Sequence, residues 1–127
     1  MTKTAKPVPI DPESVAEVRA AAPAEELLSL VVETFQALGD PTRARILYAL
    51  IRRPMCVRDL ALIAGVSESA VSHRLRLLRD RRVVKSKRAG QVIYYCVDDP
   101  HVATLFRQAE YHADHVLQNL PEHPYPA

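Results

Sequence analysis

The sequence predicts a mainly α-helical domain carrying one β-hairpin. Apolar residues recur at helical spacing through most of the stretch between residues 13 and 120. From Val83 to Val97 the pattern turns β-branched and aromatic. A capping aspartate followed by proline, the local signal for a helix start, occurs at Asp40-Pro41 and again at Asp99-Pro100.

The length of 127 residues fits one domain, and 48% hydrophobic with 25% charged residues fits a folded one. No apolar run approaches the ~18 residues of a membrane span. The N-terminus has no apolar signal region, and Cys56 and Cys96 are too few for a disulfide framework. A reducing cytoplasm is the expected location. The net charge of +2 hides an asymmetry: residues 41–90 hold 13 Lys/Arg against 3 Asp/Glu, a balance of +10, whereas the rest of the chain sums to −8. A basic middle between acidic ends points to a polyanionic partner for the middle.

Residues 1–12, with Pro7, Pro9 and Pro12, read as a disordered arm, and residues 121–127 as a flexible tail. Between them, residues 13–120 form the expected domain. A short helix covers Glu13 to Ala21. A second covers Ala24 to Leu38, with Leu27, Leu28, Val31, Phe35 and Leu38 on one face and Gly39 at its stop. Asp40-Pro41 opens a third, with Ile46, Leu47 and Leu50 inward, which Pro54 ends. Val57 to Ala64 is a short helix with Gly65 in its left-handed C-terminal position. Ser67 caps the next helix, where Val71, Leu75 and Leu78 form the buried stripe. Val83 to Lys87 and Val92 to Val97 read as strands separated by residues 88–91. A last helix follows from Pro100 to about Asn119.

Two short helices joined at Gly65-Val66 make a helix-turn-helix, and the hairpin behind them makes it winged. The exposed face of the second helix carries Ser67, Ser69, Ser72, His73 and Arg76. Small hydroxyls and a long cation near a helix N-terminus suit the major groove of double-stranded DNA. Lys85, Lys87 and Arg88 give the wing cations for the adjacent backbone or minor groove.

The stretch from Val66 to Leu78, V-S-E-S-A-V-S-H-R-L-R-L-L, resembles the recognition helix of the ArsR/SmtB metal-sensing repressors. Ala37 to Arg43 resembles their A-L-x-D-P-x-R entry to the core, and Gly90 to Tyr95 their second wing strand. The resemblance covers about residues 24–119. It implies a cytoplasmic winged-helix homodimer, paired through its N- and C-terminal helices, which represses at an operator and leaves DNA when metal binds.

The last helix carries Asp99 and His101 at its start and His112 and His115 further on. At about 100° per residue, eleven residues return His112 to within ~20° of His101, so the histidines share one face. His101 and His112 nevertheless lie ~16 Å apart along the axis, too far for one metal ion. Two such helices packed antiparallel about a two-fold axis bring the Asp99/His101 end of one to the His112/His115 end of the other. One carboxylate and three imidazoles describe zinc, with cobalt or nickel possible. The same four residues match the ligand set of the family's zinc sensors. Pro100 marks Asp99 as a helix cap as well as a ligand. In the family, a site histidine, here His112, bonds a backbone carbonyl around Arg82.

Leu117 stands where nickel and cobalt sensors place a further ligand, and His123 reads as a free histidine in the tail. The family's thiolate site is reduced to Cys56, which reads as a small buried residue; Cys96 reads as a strand position. A nickel or cobalt sensor and a thiol redox sensor using Cys56 and Cys96 are the alternatives. A metalloenzyme would need an open coordination position, which four protein ligands do not leave, so the chain is not read as an enzyme.

Overall fold

A computed structural model describes residues 6–119. The expected tail with His123, and Leu120, lie outside the described residues. The elements are α1 (Pro12–Ala21), α2 (Glu25–Leu38), α3 (Pro41–Arg52), β1 (Met55–Cys56), α4 (Val57–Ala64), α5 (Glu68–Asp80), β2 (Val84–Ala89), β3 (Val92–Val97) and α6 (Pro100–Gln118). The chain divides into two compact units, Met1–Val32 and Glu33–Ala127.

In the first unit, α1 starts one residue before its expected position. Asp11 caps it by accepting the Ser14 N–H at 3.0 Å and the Ser14 hydroxyl at 2.6 Å. The hydroxyl bond, then the backbone bond, holds the Asp11 carboxyl below the usual carboxylate range. No residue of α1 is buried.

The second unit holds the core. Ile46, Leu47 and Leu50 from α3 cluster with Leu60 from α4, Val71, Leu75 and Leu78 from α5, Val83 ahead of the hairpin and Val84 at the start of β2. Of these, the α3 and α5 residues are the ones that the helical spacing turned inward. Asp40 is extended and accepts the Arg43 N–H at 2.9 Å, which starts α3. The Arg43 guanidinium turns back and donates to Ala37 O at 2.7 Å and Gln36 O at 3.1 Å, satisfying carbonyls at the end of α2. Gly65 ends α4 at φ 69°, as expected.

The turn out of α5 has its own geometry. Val83 N–H donates to Leu78 O at 2.8 Å and Arg82 N–H to Arg79 O at 3.0 Å. This pair of bonds is a Schellman motif, and its left-handed position is filled by Arg82 at φ 56° where glycine is usual. Val83, already spent on closing the helix, is therefore outside the strand it was expected to begin.

The hairpin is longer and its loop shorter than expected. The ladder continues through Arg88↔Ile93 to Ala89↔Val92, leaving a two-residue loop at Gly90-Gln91. Gly90 at φ 65° supplies the backbone that such a tight loop requires. A third strand was not expected: β1 pairs with β3 as Met55↔Tyr95 and Cys56↔Tyr94, giving the order β1-β3-β2.

The apolar faces of α2 and α6 are largely uncovered. Leu27, Leu28, Val31 and Phe35 are exposed, and Ala37 is the buried residue of α2. In α6 Val102 is buried, whereas Val116 and Leu117 are exposed.

Two outcomes follow. Arg82→Gly removes a left-handed non-glycine residue that costs ~1–2 kcal/mol, offset by the greater chain entropy of glycine, so thermal unfolding should show no loss of stability. A clear drop in Tm would contradict the turn geometry. The Arg43 backbone bond, then the charges of Arg43 and Arg74, hold the Asp40 carboxyl below its usual range against the opposing effect of burial. Its contribution to stability is complete above the unfolded-state value of ~3.9 and is lost as pH falls through the lowered folded value. Acid titration of unfolding should show that loss in the native chain and not in Asp40→Asn.

Candidate nucleic-acid interface and metal ligands

The fold turns the buried stripe of α5 inward and so presents the opposite face. Ser67, Ser69, Ser72, His73 and Arg76 are all exposed. Ser67 is extended and its hydroxyl oxygen accepts the Ala70 N–H at 3.0 Å, leaving its hydroxyl hydrogen to donate outward. Between α5 and the sheet lies a cleft of about 440 Å³ lined by Ser72, Arg76, Arg79, Asp80 and Tyr95 with Leu75 at its floor.

The wing cations do not act as one group. Lys85 pairs with Cys96, Lys87 with Tyr94 and Arg88 with Ile93. Because side chains alternate along a strand, Lys85 and Lys87 share one face. Arg88 shares the other with Tyr95, the face that borders the cleft with Ser72 and Arg76. A second cleft of about 410 Å³ brings Lys85 and Ser86 to Arg79, Arg82 and Asp98. Arg79 and Tyr95 were not singled out from sequence. Arg79 was legible as the next turn above Arg76, but the place of Tyr95 depends on strand register.

Asp99 is extended and caps α6: its Oδ1 accepts the Val102 N–H at 3.1 Å. The second carboxylate oxygen has no hydrogen bond among the described residues. His101 and His112 are exposed, and His115 is half-buried with its Nδ1 turned from solvent. Among the described residues no three His, Cys, Asp or Glu side chains converge on one point. One chain therefore lays the four donors along α6 without gathering them. The His112 imidazole makes no hydrogen bond among the described residues, so the expected bond to a carbonyl around Arg82 is not found among them. The donors fit a borderline divalent metal in chemistry, being imidazole nitrogens and a carboxylate oxygen.

Cys56 is half-buried rather than a core residue, and Cys96 is half-buried too. Cys56 lies opposite Tyr94, and Cys96 is two residues further along β3 on the same face. Such diagonal neighbours stand about 7–8 Å apart, beyond the ~4.4–6.8 Å between Cα atoms of a disulfide.

Recognition helix, basic hairpin and short third strand together define a winged helix-turn-helix protein. Residues 40–86 match the family model described as bacterial regulatory protein, arsR family. The chain is 45% identical over 95 residues to the HTH-type transcriptional regulator NmtR of Mycobacterium tuberculosis, covering 74% of this chain and 79% of that one. It is 48% identical over 89 residues to the transcriptional repressor SmtB homolog of Synechocystis sp., covering 70% of this chain and 65% of that relative's length, just under two thirds. Among solved structures, it superposes with a TM-score of 0.71 and 28% identity on a homodimeric winged helix-turn-helix DNA-binding domain of a possible ArsR-family regulator from Mycobacterium bovis. That match covers 84% of this chain and 94% of the other. The chain belongs to the arsR family of bacterial regulatory proteins. Among the described residues no helix is long and apolar enough to cross a membrane.

Thiol chemistry offers a direct check of the sheet register. After mild peroxide treatment, the folded monomer should show no Cys56–Cys96 disulfide by peptide mapping. A quantitative intrachain disulfide in the folded protein would contradict the diagonal placement.

Proposed function

We propose that this protein is a metal-responsive transcriptional repressor, with zinc as its metal, that binds operator DNA as a cytoplasmic homodimer and leaves it when metal binds. The observation that carries this reading is the incomplete ligand face of α6. Asp99 at the cap of α6 and His101, His112 and His115 along it are strung out on a helix that cannot gather them alone, and the same helix ends in exposed Val116 and Leu117. A second copy supplies both what the donors lack and what the apolar residues need for cover. The relatives' names add support, since they describe transcriptional regulators and repressors.

On this reading the exposed hydroxyls of Ser67, Ser69 and Ser72, with His73, face base edges and phosphates. Arg76 and Arg88 face the strand beside the cleft between α5 and the wing, and Lys85 and Lys87 serve the other face of the hairpin. Asp99 and His101 of one protomer and His112 and His115 of its partner would hold the metal. When bound, the metal supplies a tie between the two α6 helices. Asp99 has one oxygen committed to the cap and one left for this task. The tied pair of α6 helices favours a dimer shape in which the two α5 helices no longer match successive major grooves. Leu117 offers no further donor, which favours zinc over nickel.

The direct test is release of an operator-bound chain titrated with zinc, cobalt, nickel and cadmium. Zinc should release it at one equivalent per protomer. Release by nickel alone moves the assignment to the nickel/cobalt alternative, and no release by any metal overturns the reading. His112→Ala should bind DNA as the native chain does yet resist release by zinc. Zinc affinity should weaken in acid, since a protonated imidazole does not ligate. Cys56→Ser should keep the zinc response, and an intense thiolate charge-transfer band in cobalt-loaded protein would show that sulfur ligates instead.

The same interface predicts the salt dependence. Arg76→Ala and Arg88→Ala should each flatten the log–log slope of DNA affinity against salt by about 0.9 per lost phosphate contact. An unchanged slope in Arg88→Ala would remove the cleft face of the wing from the interface.

A further inference from the structure

The recognition helix is fastened to the rest of the unit midway along its length. Arg74 leaves α5 beside the exposed Ser72 and His73, and its Nε lies 3.6 Å from Asp40 Oδ2. The Arg74 and Asp40 side chains are 32% and 27% exposed, so their attraction is screened less than that of a surface pair. The contact is nevertheless slack. Nε is buried without a hydrogen-bond partner, and Nη1 meets Ala70 O only at 3.5 Å. A hydrogen bond at ~2.7–3.2 Å is within reach of a small adjustment of the Arg74 side chain or of α5.

Asp40 is not an isolated acceptor. It caps α3, and Arg43 in the first turn of that helix grips Ala37 O and Gln36 O of α2. A second tie, Arg81 to Glu33 at 3.4 Å, joins the end of α5 to α2 but is more exposed. The cap alone does not explain the aspartate, because asparagine caps a helix as well. The negative charge also suits the positive N-terminal end of α3, but of the two cations that it faces, Arg43 and Arg74, Arg74 is the one that belongs to the reading helix.

We propose that the Asp40–Arg74 pair is a positioning device that sets the angle at which α5 presents Ser69, Ser72 and Arg76 to duplex DNA. It shortens to a hydrogen bond when the helix seats in the groove. The inference rests on the DNA-binding reading above. Arg74 acts through Asp40 and is a positioning residue.

The test uses the full chain, a duplex enriched by the native protein from a randomised pool, and poly(dI-dC) as non-specific DNA. Asp40→Asn keeps the cap and removes the charge; Arg74→Gln removes the other charge; Arg74→Lys retains it. Asp40→Asn and Arg74→Gln should each lower the ratio of specific to non-specific affinity by roughly 2- to 30-fold, the span of couplings of this kind. Their double variant should lose no more than either single one. Arg74→Lys should recover part of the ratio, and poly(dI-dC) affinity should change little in Asp40→Asn. In the native chain the Arg74 Nε–H resonance should move downfield on binding the enriched duplex. A native chain that discriminates, with Asp40→Asn discriminating equally and the Nε–H resonance unmoved, overturns the pair's role alone. A native chain that shows no preference overturns the DNA-binding reading and the pair's role together.

Discussion

One carboxylate stands where three helices meet. Asp40 ends the link from α2, caps α3 through the Arg43 N–H, and faces Arg74 on α5. Arg43 closes the circle by donating to the last carbonyls of α2. Each bond answers a need that helix ends create, since terminal N–H and C=O groups lack partners within the helix. Because these needs are met by residues from neighbouring elements, the start of α3 cannot shift without disturbing the end of α2. The recognition helix is held to the same unit through Leu75 and Leu78, which are buried in one core with Ile46 and Leu47 of α3. On the proposed reading, this packing orients the basic face of α5 as a groove-reading helix requires.

The other constraint is what a single chain leaves undone. The apolar residues of α2 from Leu27 to Phe35, and Val116 and Leu117 of α6, stay open to water. Exposed apolar residues scattered singly need no explanation, but a run along one helix does. The candidate ligand face of α6 has the same character. A helix of 19 residues is about 28 Å long, so its two donor pairs are separated by the rise of the backbone itself. No change of rotamer brings them together. On the proposed reading, apolar cover and metal coordination are both properties of a pair of chains, and a metal that depends on the pairing acts on the geometry of the pair.

Much of the second unit was legible because its signals are local. Asp40-Pro41, Ser67, Gly65 and Asp99-Pro100 mark helix ends through backbone chemistry that spans only a few residues. The stripes Ile46/Leu47/Leu50 and Val71/Leu75/Leu78 follow from the helical repeat. β1 escaped notice because two residues carry no period, and it exists only as a partner for β3. The strand β2 was placed too early and ended too soon. Val83 closes the α5 turn, and charged Arg88 and small Ala89 continue a ladder that depends on pairing rather than composition. Cys56 was taken as a core residue since small thiols usually are; its place on β1 leaves it half-buried. For the candidate site, the exposed face of α5 and the donors of α6 were visible as patterns. The division of Lys85 and Lys87 from Arg88, the cleft residues Arg79 and Tyr95, and the Asp40–Arg74 pair all depend on register or tertiary packing.

The central claim is that the metal ligands of one site come from two chains. It is tested most directly by mixing two variants that each fail to bind zinc, His101→Ala and His112→Ala, and measuring zinc in verified mixed dimers. With crossed ligands, both lesions fall in one site and the other site is whole, so the mixed dimer should recover high-affinity binding of one zinc. Mixed dimers that recover none would show that the ligands come from a single chain or that the site lies elsewhere.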